Sequence, residues 1–161
     1  MDDGPSRDLP PDADAADDRE TPYALLQRGR ELMRGRHFAQ AAIVLERAAR
    51  LEPGRGSILE ALGRASYNAG DHARAAEVFT DLLAVDPSAH YAHYALGQSL
   101  KQIGRTDEAA THLRIAVALA PDNRLYASAL RRLGGEGTGI VIGDTDRHDP
   151  TSDGEGGGRS Q

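Results

Sequence analysis

Two histidines of this chain have the spacing that could support metal binding. His90 and His93 are three residues apart, so a helix would bring both imidazole rings to one face. The chain contains no cysteine, and no neighbouring carboxylate completes an obvious ligand set. We therefore expect surface histidines without a special role, and we predict neither a metal nor any other cofactor.

Acidic residues near the C-terminus are a second candidate. Asp144, Asp146 and Asp149 are spaced loosely like the ligands of a calcium loop, but no glutamate stands at the twelfth position and the flanking helices are missing. A solvated acidic tail accounts for them. The Gly-rich sequence at residues 134–139 follows a predicted helix, whereas phosphate-binding loops follow a strand. We find no catalytic constellation and predict that the protein is not an enzyme.

A period of 34 residues organises the middle of the chain. Gly29, Gly63 and Gly97 follow this spacing. Three further series share it: Ala41, Ala75 and Ala109; Leu45, Phe79 and Leu113; and Pro53, Pro87 and Pro121. Four series in one register rarely arise by chance, so we predict a three-unit repeat.

Each unit has the pattern of a helical hairpin. In residues 56–89, two apolar stripes with helical spacing flank a turn at Gly70 and Asp71. The stripes comprise Ile58, Leu59, Leu62, Ala65 and Ser66, and then Ala75, Ala76, Val78, Phe79, Leu82 and Leu83. Gly63 and Ala75 are expected to set the distance between the helices because they are small. Pro87 lacks an amide hydrogen and cannot continue the second helix.

At these residues the chain resembles the tetratricopeptide repeat family. The unit of that family has a large residue at position 4, Leu at 7, Gly at 8, Ala at 20, an aromatic residue at 24 and Pro at 32. The resemblance covers three units and a half unit similar to the family's capping helix: residues 22–55, 56–89, 90–123 and 124–133. It implies an all-α, right-handed superhelical solenoid of three helix-turn-helix repeats. Arg28 at position 7 and His93 at position 4 depart from the pattern.

Capping residues predict where the first and last helices begin and end. Thr21 is a suitable N-cap for the first helix. Either Asp122 or Asn123 can cap the last helix, which Gly134 and Gly135 are expected to end. Three leucines are predicted on its buried side and three arginines on its solvent side: Leu125, Leu130 and Leu133, and Arg124, Arg131 and Arg132.

Charge divides the chain into three parts. Residues 1–21 hold eight acidic and two basic residues, and residues 134–161 hold six acidic and two basic residues. The intervening residues 22–133 hold 15 basic and 11 acidic residues, which gives a net charge of +4. Both ends lack the apolar side chains that would offset the entropy of ordering, so we predict two disordered acidic tails around a basic solenoid.

One apolar triplet interrupts the C-terminal tail: Ile140, Val141 and Ile142. It is either a chance apolar patch or a short motif that docks on the protein's own groove or on a partner. The tail is long enough for self-docking, because a Gly-rich chain spans about 5–6 Å times the square root of its length. Both interpretations remain open.

The resemblance implies which residues line a concave surface. In the family, positions 2, 5, 9 and 12 of each first helix do so. Here they are Tyr23, Leu26, Arg30 and Met33; Ser57, Glu60, Arg64 and Tyr67; and Tyr91, Tyr94, Gln98 and Lys101. Tyrosine combines an apolar ring with a polar tip, and arginine can hold a carboxylate through two donors, so an acidic and apolar peptide would fit. Tyr67 and Tyr94 serve packing or binding, whereas Tyr91, Arg30 and Arg64 are the main binding candidates.

One branch of the family binds the C-terminal carboxylate of chaperone tails through a set of lysine, asparagine and arginine side chains. The corresponding positions here hold Leu26, Arg30, Ala61, Tyr91 and Ala95. Only Arg30 is cationic, so we do not predict chaperone docking.

These observations predict a non-catalytic adaptor or assembly factor that holds a protein or peptide partner. The alternative is a structural solenoid that self-associates without a specific groove ligand. Nucleic-acid binding is not expected, because the charge of the middle is small and the acidic tails oppose it. No apolar run approaches the roughly 20 residues that span a bilayer, and the N-terminus is acidic, so we expect a soluble cytoplasmic protein without a membrane partner.

Overall fold

The chain folds into a row of helices. A computed structural model describes residues 21–136, and this part of the chain contains seven α-helices and no strand. The helices are α1 (Pro22–Arg34), α2 (Phe38–Leu51), α3 (Gly56–Asn68), α4 (His72–Val85), α5 (His90–Gln102), α6 (Thr106–Leu119) and α7 (Arg124–Glu136). The predicted all-α repeat fold is confirmed.

Consecutive helices pair into three hairpins, which stack in chain order. Helix α1 packs on α2, α3 on α4, and α5 on α6, while α2 contacts α3, α4 contacts α5, and α6 contacts α7. The first helices of neighbouring units also contact each other, α1 with α3 and α3 with α5. These first helices therefore lie side by side and form one continuous face of the solenoid.

The turn inside each hairpin uses a residue with a left-handed backbone. Gly70 and Gly104 have φ angles of 87° and 82°, and Arg36 occupies the same place in the first unit with a φ of 61°. Glycine adopts this conformation without strain, whereas a side chain with a Cβ does not. Arg36 is therefore a strained member of an otherwise glycine-based series.

The predicted stripes form the core. Every residue of the two stripes in the second unit is buried except Leu83, which is partly buried. Ala41, Ala75 and Ala109 are completely buried, one in each hairpin. Small side chains at this place let the paired helices approach closely, as the spacing predicted.

The departures from the family pattern have different outcomes. Arg28 is exposed, whereas Leu62 and Leu96, at the same place in the next two units, are buried. Position 7 of the later units faces the preceding hairpin, and no hairpin precedes α1 within the described residues. His93, by contrast, is buried with 8% of its surface exposed. The expectation that it is a surface histidine is wrong, because it fills a core position between α5 and α6.

The last helix differs from its prediction in two ways. It continues through Gly134 and Gly135 to Glu136, because glycine weakens a helix without breaking it and no proline follows closely. Its buried side is also rotated. Leu125 is 51% exposed, and Tyr126 is 3% exposed in its place.

The rotation of α7 has a simple geometric reason. Tyr126, Ala129 and Leu133 are buried, and their spacing of three and four residues keeps them on one helical face. Asn123 fixes the start of the helix, because its side-chain Oδ1 accepts a hydrogen bond of 3.0 Å from the Leu125 amide. At the other end of the domain, Thr21 caps α1 as predicted by accepting from the amide of Ala24.

Several predictions concern residues outside the described part of the chain. These are the disordered tails predicted at residues 1–21 and 134–161, apart from the described residues 21 and 134–136, the apolar triplet at 140–142 and the acidic cluster at 144–149. Among the described residues, none of the helices is long and apolar enough to cross a membrane.

Candidate binding groove

The face formed by the first helices carries two adjoining clefts. The first, which we call the cationic cleft, lies between α1 and α3 and has a volume of about 360 Å³. Its walls are Arg30, Met33, Arg34, Phe38, Ser57, Glu60, Ala61, Arg64 and Asn68. Three arginines and one glutamate give this cleft an excess of positive charge.

The second cleft, which we call the aromatic cleft, lies between α3 and α5. It has a volume of about 270 Å³ and is lined by Arg64, Tyr67, Asn68, Phe79, Tyr91, Tyr94, Ala95 and Gln98. Three tyrosine rings and one phenylalanine ring line it, and the tyrosine hydroxyls and the amides of Gln98 and Asn68 can form hydrogen bonds.

Arg64 and Asn68 line both clefts, so the two form one groove. Arg64 is half exposed and only loosely paired, with 3.8 Å between its Nη1 atom and Oε1 of Glu60. Arg30 is exposed and has no ion-pair partner among residues 21–136. The guanidinium groups of both residues can therefore reach a ligand carboxylate without first losing a strong internal salt bridge.

The aromatic cleft is built on a network of rings. Tyr91 packs edge-on against Phe79, with 6.3 Å between ring centroids, and lies 6.4 Å from Tyr94. Burial raises the pKa of Tyr91, an effect that the nearby Arg64 opposes. The Tyr91 hydroxyl therefore remains protonated and can still donate a hydrogen bond at neutral pH.

The last helix supports this network from behind. Tyr126 stacks on Tyr94 with 4.7 Å between centroids, and its hydroxyl lies 2.9 Å from Nδ1 of His90. Gln98 donates to the Tyr94 hydroxyl over 3.1 Å. Tyr94 is thus held on two sides, and α7 takes part in shaping the groove.

Nine of the twelve residues predicted on the concave surface line these two clefts, and three do not. The nine are Arg30, Met33, Ser57, Glu60, Arg64, Tyr67, Tyr91, Tyr94 and Gln98. Tyr23 is 64% exposed at the start of α1, and Lys101 is half-buried near the end of α5. Leu26 is 3% exposed and belongs to the core, so it offers little surface to a ligand.

The tyrosines combine packing with exposure to the groove. Tyr67 packs edge-on against His72 with 4.8 Å between centroids, and Tyr94 stacks on Tyr126. Both also line the aromatic cleft. Tyr91, one of the main binding candidates, also packs against the core through Phe79.

Arg34 and Asn68 are groove residues that the sequence pattern did not single out. Both occupy position 13 of their units, four residues after Arg30 and Arg64. Residues four apart share a helical face, so the register already contained this signal. The supporting role of Tyr126 was also missed, because its side chain was not assigned to the buried side of α7.

The two histidines with metal-like spacing contact different partners. His90 lies against Tyr126, whereas His93 contacts His112 and the carbonyl of Pro87. Within residues 21–136, no group of three or more histidine, cysteine or acidic side chains is arranged to hold a metal ion.

A stack of helical hairpins with a groove along its first helices defines a helical-repeat protein. The tetratricopeptide repeat (TPR) model matches residues 26–81 and 60–124, which together make up more than half of the chain. The chain therefore belongs to the tetratricopeptide repeat family. No curated protein sequence matches it significantly.

Solved structures agree with this assignment. MamA (residues 41 to the end) from Desulfovibrio magneticus RS-1 superposes with a TM-score of 0.72 and 20% identity, over 76% of this chain and 69% of that chain. The first TPR of Spaghetti (RPAP3), bound to the HSP90 peptide SRMEEVD, gives 0.69 and 16%, over 72% and 92%. YrrB, described as a TPR protein with an unusual peptide-binding site, gives 0.67 and 22%, over 70% and 58%. At these identities the likeness shows the fold.

Proposed function

We propose that this protein is a non-catalytic interaction module, an adaptor or assembly factor, that holds a peptide segment of a partner protein in the groove. The continuity of the two clefts through Arg64 carries this proposal. A ligand that spans the junction meets cations on one side and aromatic rings on the other. The best-fitting peptide, extended or helical, has an acidic side chain for the cationic cleft and an apolar side chain for the aromatic cleft.

The structural relatives support peptide binding as the class of function. One of them is described with a bound peptide, SRMEEVD, and another with a peptide-binding site. The bound peptide carries three acidic residues, and the proposed ligand also contains an acidic side chain. The family's chaperone-binding side chains are not present at the corresponding positions here, so the proposal does not include a chaperone tail.

Selection from a peptide library tests the proposal even where the partner protein is not identified. Random peptides displayed on phage are selected against the immobilised full chain. Enriched sequences should combine acidic with aromatic or aliphatic residues. They should lose binding to the double variant Arg64→Glu with Tyr91→Ala. This variant reverses the charge of Arg64, which lines both clefts, and removes the Tyr91 ring from the aromatic cleft.

The matched control is Arg114→Glu, which makes the same charge change on an exposed site of α6 away from the groove. Retained binding by this control, with loss in the groove variant, supports the proposal. The proposal would be contradicted if the selection enriches no sequence, or if the selected peptides bind the groove variant and the control with equal affinity. Circular dichroism of each variant shows whether the fold is preserved.

Self-association remains the second candidate, and the C-terminal end of the solenoid favours it. Leu119 and Leu125 are large apolar residues that lie exposed near this end. Sedimentation at increasing protein concentration distinguishes the candidates. A self-associating solenoid gains mass with concentration, and the groove variant does so equally, whereas an adaptor remains a monomer.

Two finer expectations belong to this proposal. The apolar triplet at residues 140–142 would occupy the groove or bind a partner, and truncation after Glu136 should then change the affinity of the selected peptides. Unchanged affinity after truncation would exclude self-docking in the groove. The proposed location is the cytoplasm, which cell fractionation tests.

A further inference from the structure

The third unit contains a hydrogen-bonded histidine pair at the contact between its two helices. Nδ1 of His93 on α5 lies 3.0 Å from Nδ1 of His112 on α6. The two rings stack with 5.3 Å between centroids and 25° between planes. Nε2 of His93 lies 3.1 Å from the carbonyl oxygen of Pro87, in the loop before α5. This buried histidine therefore connects three segments of the chain.

These contacts specify the protonation state of both rings. A carbonyl oxygen only accepts hydrogen bonds, so Nε2 of His93 must carry a hydrogen. Neutral His93 then has a bare Nδ1, which accepts from a hydrogen on Nδ1 of His112. In this arrangement both rings are neutral, and all three ring nitrogens in these contacts have suitable partners.

Addition of protons affects the pair in two stages. One added proton leaves the bond intact if it goes to Nε2 of His112, because Nδ1 of His112 still donates. A second proton must go to Nδ1 of His93. It places two N–H groups against each other and two positive rings in contact, one of them largely removed from water. The doubly protonated pair is therefore incompatible with the observed contact.

The other two units show that this pair is not required by the fold. The corresponding positions hold Leu25 and Val44 in the first unit, and Leu59 and Val78 in the second. These side chains cannot titrate. The third unit thus carries a titratable pair where its neighbours carry apolar residues.

The charged groups around the pair come from several elements. His112 lines a cleft together with Glu77 and Asp81 of α4, Arg105 before α6 and Glu108 on α6. Burial and the charge of His93 lower the pKa of His112, and Glu108 opposes this. Glu108 itself is paired with Arg105, and Glu77 with Arg74 of its own helix, which limits how far these carboxylates can stabilise a second charge.

On the first helix of this unit and on the capping helix, two titratable side chains, His90 and Tyr126, contact each other. On α5, His90 lies one turn before His93 and is directed to the Tyr126 hydroxyl. From α7, Tyr126 contacts His90 and Tyr94 rather than the histidine pair. The charged residues that share the cleft with His112 therefore come from α4, from α6 and from Arg105 before α6.

We propose that His93 and His112 form a pH-sensitive contact that loosens the α5–α6 hairpin on acidification while the first two units remain packed. Unfolded histidines bind protons with a pKa of about 6.5. The folded pair takes up its second proton less readily, so below that pH the unfolded state binds more protons. Stability is then complete above about pH 6.5 and falls as the pH decreases. This inference is independent of what the groove binds.

Urea unfolding of the full chain tests the proposal between about pH 8 and about pH 5, where histidines titrate and most carboxylates do not. The double variant His93→Leu with His112→Val copies the second unit. The control is His37→Gln, which removes an exposed histidine in the first hairpin. The unfolding equilibrium constant of the wild type and of the control should rise several-fold more on acidification than that of the double variant. Equal pH dependence in all three proteins would overturn the proposal.

A measurement on the unmodified protein guards against a variant that fails to fold. The NMR shifts of the imidazole Cε1 protons of His93 and His112 should titrate in coupled steps, with the second step below about pH 6.5. Hydrogen exchange at low pH should increase in α5 and α6 before it increases in α1 and α2. Independent titration of both rings at the ordinary pKa, or loosening of all units together, would contradict the proposed contact.

Discussion

Gly63 lies directly against the ring of Phe79, and a Cβ atom at Gly63 would stand 2.7 Å from the Cζ atom of that ring. This separation is well inside the normal contact distance between carbon atoms. The same relation joins Gly29 to Leu45 and Gly97 to Leu113 in the other units. The glycine series found in the sequence therefore exists because each hairpin brings a large side chain onto the backbone of the facing helix.

The substitution Gly63→Ala should destabilise the protein. The added methyl group forces the ring to shift, which typically costs about 1–3 kcal/mol. Alanine also favours the helix over glycine by about 0.5–1 kcal/mol, so the net loss is smaller than the steric term. Urea unfolding followed by circular dichroism measures the difference.

The chain offers a matched control for this substitution. Gly134 is also helical, and no atom lies near the place of its missing Cβ. Gly134→Ala should therefore leave stability unchanged or raise it slightly. If Gly63→Ala behaves in the same way, the ring contact does not limit the distance between α3 and α4. A smaller cost of Gly63→Ala in a Phe79→Ala background than in the wild type would confirm that contact.

The sequence predicted the fold well because the same pattern recurs in three units, so a helix boundary that is ambiguous in one unit is fixed by the other two. The glycine, alanine and proline series fix the register of every hairpin, and the helices begin and end within a residue or two of that register. The half unit has no second helix to fix its rotation. One residue corresponds to a turn of about 100° around a helix, so the choice between Leu125 and Tyr126 on the buried side depends on packing that the pattern does not encode.

The groove was less predictable for a related reason. Family positions locate a residue on a helix but do not tell how deeply a given side chain is buried. Leu26 is in the core, whereas Glu60 and Arg64 remain accessible. His93 was misplaced because a histidine buries its ring only when its nitrogens find partners, and here one partner, His112, is 19 residues away on another helix.

A second prediction concerns the strained turn of the first hairpin. Arg36→Gly should raise stability by up to about 1 kcal/mol. A left-handed backbone costs a non-glycine residue about 1–2 kcal/mol, and glycine removes this strain. Glycine also loses more conformational entropy on folding, which cancels part of the gain. The converse change, Gly70→Ala, should lower stability by about 1 kcal/mol through backbone strain alone, since its added Cβ meets no other atom. Thermal unfolding of both variants measures the two effects. A loss of stability in Arg36→Gly would mean that the arginine side chain makes compensating interactions.

A third prediction tests how Tyr126 holds the capping helix. Tyr126→Phe keeps the stacking on Tyr94 but removes the hydroxyl contact with His90, so it should cost about 1 kcal/mol. Tyr126→Ala removes both contacts and leaves a cavity, with an expected cost of about 3 kcal/mol or detachment of α7. Hydrogen exchange of the α7 amides distinguishes local detachment from global loss of stability. If exchange in α7 is equal in the two variants, the ring does not anchor this helix.

The last prediction separates the two arginines of the groove. Arg64 lines both clefts, while Arg30 lines only the cationic cleft. Removal of Arg64 should therefore weaken a selected acidic and apolar peptide by about tenfold, and removal of Arg30 by about threefold, as expected for charge-assisted contacts that are partly exposed to water. Fluorescence anisotropy with the alanine variants, and with Arg114→Ala as control, measures these losses.

Salt and the charge of the peptide identify the contact that is lost. The difference between wild type and Arg64→Ala should shrink at high salt, because screening acts over about 10 Å at 0.1 M ionic strength and over less at higher concentrations. It should also shrink when the acidic residue of the peptide is replaced by its amide. If Arg64→Ala costs as much with the neutral peptide as with the charged one, Arg64 contributes through the shape of the cleft junction and not through a carboxylate contact.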